Sequence, residues 1–296
     1  MHRTHYPHQD VGNVVEFEHV NVAVPDFEMA TWFYVGALGL TRDPYLELGP
    51  DLVWINVGAQ QFHLLRGDPQ VVRGVIELVV PSHAGLIERM RSMGDRVPAM
   101  SFAVDASRRT VTVEGPWGNR FRCLEAAPGA RVQLGLTGVE YTVRPGAAAG
   151  IQRFYEQVLG ARTSMDGDRC TVIVGPGQTL GFVESDDARA TGDGDHLAIY
   201  VSDFSGTYER LEERGLLMSD DQACQYRFSS IVDPDDGTPL FEVEHEVRSL
   251  HHPLRGRPLV NRNPDQRPPS YVPGRDAFVP GDASEAALRA ALDTVG

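Results

Sequence analysis

The chain of 296 residues is long enough for two ordinary domains, and its composition is that of a globular protein. A net charge of −14 argues against nucleic acid or an anionic membrane as the main partner, and no apolar run reaches the roughly 18 residues of a membrane span. The first residues lack the apolar core of a secretory signal, and three scattered cysteines fit no disulfide framework, so we expect a cytoplasmic protein with reduced thiols.

The first predicted strand lies in the stretch FEHVNVAVPDF, residues 17–27. A Pro-Asp pair ends the strand, and its apolar residues recur at strand-like spacing, at Phe17, Val20, Val22 and Val24. His19 lies near the start of this strand. Taken alone, such a histidine is more often an ordinary half-buried residue than a ligand, so the rest of the chain has to decide its role.

The chain contains an internal duplication. TWFYVGALGL resembles QRFYEQVLGA, VIELVVPSHAGLIERMRSMG resembles HLAIYVSDFSGTYERLEERG, and EGPWGNRFRCLE resembles DPDDGTPLFEVE. Matching positions are 121 residues apart in the first two pairs and 120 in the third: Tyr34 and Tyr155, Val80 and Val201, Phe121 and Phe241. Three independent pairs at nearly one offset indicate two tandem copies, which we place at 14–127 and 134–247.

Each copy divides again into two similar units. Every unit opens with a strand and a helix, and the helices end at glycines such as Gly39 and Gly160. Three strand-like runs follow, for example DPYLEL, LVWINVG and QQFHLLRG in the first unit. The sequence therefore predicts an α+β fold of four βαβββ units with curved, mostly antiparallel sheets.

The composition changes in the last segment, 248–296. Proline and arginine dominate up to about residue 280, which is typical of an extended arm and not of a third domain. A short helix is predicted after it, with Ser284 as its cap and one apolar stripe at Leu288, Ala291, Leu292 and Val295. The positive arm could dock on the acidic body or over a cleft, and a loosely ordered tail is an equally good reading.

Candidate metal ligands occur in only two of the four units. His19 and His63 lie in the first and last strands of unit one, and His196 lies in the first strand of unit four. Glu242 and Glu244 lie in the last strand of unit four, where strand alternation predicts that both face the concave side. Imidazoles and a carboxylate in this combination suit Zn, Ni, Co, Mn or Fe(II) better than calcium.

The repeat, the strand EHVNVAV before FYVGALGL, and the DPDDG or GPWGN turn before a last strand resemble the vicinal oxygen chelate superfamily, which includes glyoxalases, bleomycin-resistance proteins and extradiol dioxygenases. The resemblance covers roughly residues 14–247. It implies His19, His63, His196 and Glu242 as metal ligands, so unit one must meet unit four, and units two and three would form a pseudo-site without metal. The DPDDGTPLFE turn is one residue longer than usual, so Glu244 could replace Glu242.

The resemblance implies a metal-dependent isomerase, epimerase or lyase of the glyoxalase type. Such an enzyme chelates two neighbouring oxygens of a small substrate and stabilises an enediolate, with Glu242 or Glu244 moving the proton. An Fe(II) extradiol dioxygenase is the alternative, although it needs two histidines and one glutamate, and His63 as a fourth ligand counts against it. A metal-free small-molecule or drug-binding protein is a third possibility. A monomer or a homodimer fits each of these.

Overall fold

The computed structural model describes residues 10–45, 50–128, 130, 132–189, 192–218 and 223–262. The predicted C-terminal helix that begins after Ser284 lies outside these residues. Within them, none of the helices combines the length and the apolar character needed to cross a membrane.

The described chain is a succession of short strands with four helices. The strands are β1 Val14–Val24, β2 Thr41–Arg42, β3 Leu52–Val57, β4 Gln60–Arg66, β5 Gly74–Val80, β6 Ser101–Asp105, β7 Thr110–Glu114, β8 Arg120–Glu125, β9 Gly135–Val143, β10 Arg162–Asp166, β11 Arg169–Gly175, β12 Gln178–Glu184, β13 His196–Val201, β14 Gln225–Val232 and β15 Pro239–Ser249. The helices are α1 Phe27–Ala30, which continues as a π-helix over Thr31–Ala37, α2 His83–Met93, α3 Ala148–Gln157 and α4 Phe204–Glu212.

The strands form two mixed sheets whose pairs are mostly antiparallel. One sheet has the order β14-β15-β13-β1-β4-β3-β2, and the other has the order β10-β11-β12-β9-β5-β8-β7-β6. The first sheet therefore combines units one and four, and the second combines units two and three. The predicted α+β fold is confirmed, as is the pairing of unit one with unit four through β1 and β13.

The fourth unit departs from the predicted pattern of three strands after the helix. It has β14 and β15, and among the described residues the place of the remaining strand is held by an isolated bridge between Leu217 and Phe228.

The two matching helices, α2 and α4, have the N-terminal caps that the sequence predicts. Ser82 accepts a hydrogen bond from the Gly85 amide at the start of α2, and Asp203 accepts one from Gly206 at the start of α4.

The chain forms two compact bodies that do not follow the tandem boundaries. The first body contains the described parts of 1–22, 70–77 and 137–257, and the second contains those of 23–69, 78–136 and 258–296. The tandem domains at 14–127 and 134–247 stay predictions.

The described beginning of the C-terminal arm has specific contacts in each body. In the first body Arg255 lies 3.9 Å from the Glu16 carboxylate, and in the second body Asn261 exchanges two hydrogen bonds with Gly58.

Strand β1 explains an irregularity in its own sequence. Phe17, Val20 and Val22 are buried, yet the first two are three residues apart instead of two. The register with β13 shows why, since Phe17 lies opposite Ile199 and His19 lies opposite Ala198. Two residues of β1 therefore advance for one residue of β13, which is a β-bulge with Glu18 as the extra residue.

Candidate metal centre

Polar side chains lie in rows on one face of the sheet formed by strands β14, β15, β13 and β1. This face is called the histidine face below. Ala198 on β13 lies opposite His19 on β1 and opposite Glu246 on β15. Side chains of residues that lie directly opposite each other share a face of the sheet. Because Ala198 contributes only a methyl group, the longer side chains of His19 and Glu246 have room to approach each other above it.

Three potential ligands meet on the histidine face. One ligand atom each from His19, His196 and Glu246 lie within 4.8 Å of one another, and all three residues belong to the first body. The two imidazole rings are 5.5 Å apart between centroids and inclined at 68°. His19 is fully buried and Glu246 is 3% exposed. Two imidazoles and one carboxylate form a donor set suited to a divalent transition metal.

Both histidines are held in the neutral form that can donate a lone pair to a metal. Burial, followed by the charge of Arg248, holds the pKa of His19 well below its usual range. Burial is also the main cause that lowers the pKa of His196 to about 3, and Arg227 is the next. Near neutral pH no proton has to leave either ring before a metal can bind.

A chain of alternating charges surrounds the three ligands. Arg227 donates from Nη1 to Glu244 at 2.7 Å and from Nη2 to Glu246 at 2.6 Å. Arg248 donates to the other oxygen of Glu246 and also to Glu18. Burial outweighs the Arg248 charge at Glu18 and raises the pKa of its carboxyl. These pairs compensate carboxylates that would otherwise be costly to bury.

Glu242 and Glu244, the predicted catalytic carboxylates, lie at different places relative to this group. Glu244 Oε1 is 3.8 Å from Nδ1 of His196, whereas Glu242 is exposed. Between His245 and Glu242, two residues of β15 lie opposite one residue of β14, so the alternation of faces is interrupted there. The carboxylate that the geometry supports as a ligand is Glu246, and Glu242 as a ligand stays a prediction.

His63 lies in the second body, in a buried polar cluster of its own. Its ring is stacked on Trp54 with the centroids 3.9 Å apart, and its Nε2 is 3.2 Å from Gln61 Oε1. Gln61 also donates to Asn56 at 2.7 Å. His63 as a fourth ligand stays a prediction that these contacts leave open.

Sequence reasoning missed four residues of the histidine face, namely Glu18, Arg227, Glu246 and Arg248. Glu246 could have been found, because the alternation in LFEVEHE continues from Glu244 to Glu246. Arg227 and Arg248 could not have been found, because a single sequence does not give the strand register that places Arg227 opposite Glu246.

No protein-family model matches the chain, and no curated protein matches it either. Solved structures match its fold. A mutant of glyoxalase I from Zea mays has a TM-score of 0.54 at 15% identity, covering 79% of this chain and 92% of that chain. A candidate dioxygenase from Bacillus subtilis subsp. subtilis str. 168 has a TM-score of 0.52 at 15% identity, covering 80% and 86%. The predicted resemblance to the vicinal oxygen chelate superfamily is therefore confirmed for the fold.

Proposed function

We propose that the chain is a metal-dependent enzyme in which His19, His196 and Glu246 hold a divalent cation that binds a small substrate through two neighbouring oxygens. The observation that carries this proposal is the approach of the three ligand atoms to within 4.8 Å on one buried face. The chain shares the fold of glyoxalase I, and because a fold alone does not determine an activity, the proposal depends on these three residues.

The charges on the histidine face are compatible with a cation. Three carboxylates and two guanidinium groups are linked there by ion pairs, which leaves one negative charge in excess. Glu246 accepts hydrogen bonds from both arginines, yet a carboxylate has about four acceptor sites and can also bind a metal. The bound cation would act as a Lewis acid on the two substrate oxygens. The donor set alone does not choose between Fe, Zn, Ni, Co and Mn.

Glu244 is the residue best placed to move a proton in this proposal. Its carboxylate lies next to His196 outside the three-ligand group, and Arg227 fixes its position. It would take a proton from the carbon beside the chelated carbonyl and return it to the neighbouring carbon in an isomerase, or to the opposite face of the same carbon in an epimerase. If a leaving group departs after proton removal, the same base serves a lyase.

An Fe(II)-dependent ring-cleavage dioxygenase is a second candidate. The specific observation in its favour is the set of two histidines and one carboxylate, which is the facial triad of non-haem iron oxygenases. Oxygen uptake during turnover with a catechol separates the two candidates, because an isomerase or lyase consumes no oxygen. The uptake should also require Fe(II) and should disappear in the Glu246→Gln variant.

Metal content after purification tests the shared premise. We expect stoichiometric metal in wild-type protein expressed in medium that contains all five metals, and none in His196→Ala. His251→Ala is the matched control, because this histidine is exposed, and it should retain the metal. A wild-type protein without metal would favour a metal-free binding protein. Metal retained by His196→Ala would refute the site.

A further inference from the structure

We propose that Glu18 is a positioning residue that orients the ring of His19 and presents its Nε2 atom to the cation. The inference rests on the proposed function, because it assumes that His19 binds a metal. It concerns a residue that the sequence pattern does not single out. Three observations support it, namely the bulge, the hydrogen bond to the ring and the anchoring of Glu18.

The β-bulge is what brings Glu18 beside its own neighbour. Successive side chains of a regular strand point to opposite faces, so Glu18 and His19 would normally be separated by the sheet. Here Glu18 is the extra residue between Phe17 and His19. Its Oε2 lies 2.8 Å from Nδ1 of His19, and both side chains are buried. Bulges commonly redirect a side chain beside an active site.

The contact with Glu18 determines which ring nitrogen carries the proton. The pairing with Arg248 favours the carboxylate form of Glu18, which only accepts hydrogen bonds, so we assign the proton of the contact with His19 to Nδ1 of that ring. A neutral imidazole has one proton, and Nε2 therefore carries the lone pair that a metal needs. A carboxylate on the distal ring nitrogen also raises the basicity of a ligand histidine and fixes its orientation.

Glu18 is itself held in place. The same Oε2 atom that contacts His19 accepts a hydrogen bond from Nη1 of Arg248, and Arg248 is also paired with Glu246. Two of the proposed ligands, His19 and Glu246, are thus connected through one arginine and one carboxylate. This connection fixes the spacing of the two ligands before any metal arrives, which is the role expected of an outer shell.

The tautomer of His19 in metal-free wild-type protein is the first test. Long-range ¹H–¹⁵N correlation spectra distinguish the two tautomers, and the His19→Gln variant identifies the signals of this ring. We expect the proton on Nδ1. A proton on Nε2 overturns the inference, and the tautomer itself is read from wild-type protein.

The affinity for Mn²⁺ alone, measured from the electron paramagnetic resonance signal of the free ion, is the second test. Glu18→Gln should weaken binding by about 10- to 100-fold. Glu16→Gln is the matched control, since it removes the same charge from the same strand at a side chain that pairs with Arg255, and it should bind like wild type. His196→Ala should abolish binding.

The outcomes separate the two claims. If wild-type protein takes up none of the five metals, Mn²⁺ included, the proposed function fails and this inference fails with it. If His196→Ala loses Mn²⁺ but Glu18→Gln binds as tightly as Glu16→Gln, the proposed function stands and the positioning role of Glu18 alone is wrong.

Discussion

In the first body, the buried His245 and the pair formed by His19 and His196 differ in the groups that surround their imidazole rings. His245 on β15 is stacked on Phe228 at 4.4 Å, and both of its ring nitrogens have protein partners. Its Nδ1 lies 2.8 Å from the Val243 carbonyl, and its Nε2 lies 2.7 Å from the Tyr155 hydroxyl. His19 and His196, in contrast, converge with Glu246 among charged side chains. His245 is therefore a structural histidine whose two ring nitrogens have hydrogen-bonding partners in the core, whereas His19 and His196 are arranged with Glu246 around a common point.

The comparison also shows why a lone histidine in a sequence says little. His245 is as deeply buried as His19, and burial lowers the pKa of both rings. Burial and a neutral ring are therefore common to the two environments. What distinguishes the candidate ligands is the convergence of other donors on the same point.

The largest expected effect is the loss of metal when the carboxylate of the group is removed. Glu246→Gln should lose bound metal, because a neutral amide is a poor substitute for a carboxylate ligand. Glu242→Gln removes the same charge from an exposed position of the same strand and should retain the metal. Metal analysis of the two purified variants decides between them, and the reverse result would restore Glu242 as the ligand.

A large loss of stability is expected for His245→Ala. The substitution leaves a cavity beside Phe228 and removes the partners of the Tyr155 hydroxyl and the Val243 carbonyl. The free energy of unfolding should fall by about 3 to 5 kcal/mol, measured by urea denaturation. Metal content should stay at the wild-type level in the folded fraction. A variant of unchanged stability that lost its metal would reverse the roles of the two environments.

A smaller effect is expected in the pH dependence of stability of the metal-free protein. Burial lowers the pKa of His245 to about 4, below the ordinary value of 6.5. The unfolded state therefore binds the proton first, and the stability contributed by the neutral ring is present above about pH 6.5 and lost as the pH falls towards 4. That loss is on the order of 3 kcal/mol.

His245→Asn is the variant that tests this pH effect. Unfolding free energies measured between pH 7 and 4 should decline less steeply in this variant than in wild type. Parallel profiles would contradict a neutral His245 in the folded state.

The sequence was sufficient for the fold because the duplication repeats the same strand and helix signals four times. It also singled out His19 and His196 as candidate metal ligands, because the candidate ligands occurred only in units one and four, and these two units share a sheet. It left the choice of carboxylate open between Glu242 and Glu244, because an irregular register between β14 and β15 breaks the alternation between these two residues. The position of Glu18 beside His19 was not predicted either, because it depends on a β-bulge between β1 and β13. The three-residue step from Phe17 to Val20 in the sequence was a sign of this bulge.

The most direct test of the central claim is a crystal structure of the metal-loaded protein with anomalous data collected at the absorption edge of the metal. We expect one cation bound by His19, His196 and Glu246, with Nδ1 of His19 hydrogen-bonded to Glu18. Electron density would also show whether His63 is a fourth ligand. A cation bound by Glu242 in place of Glu246, or a metal-loaded crystal with no cation between the two histidines, would refute the proposed site.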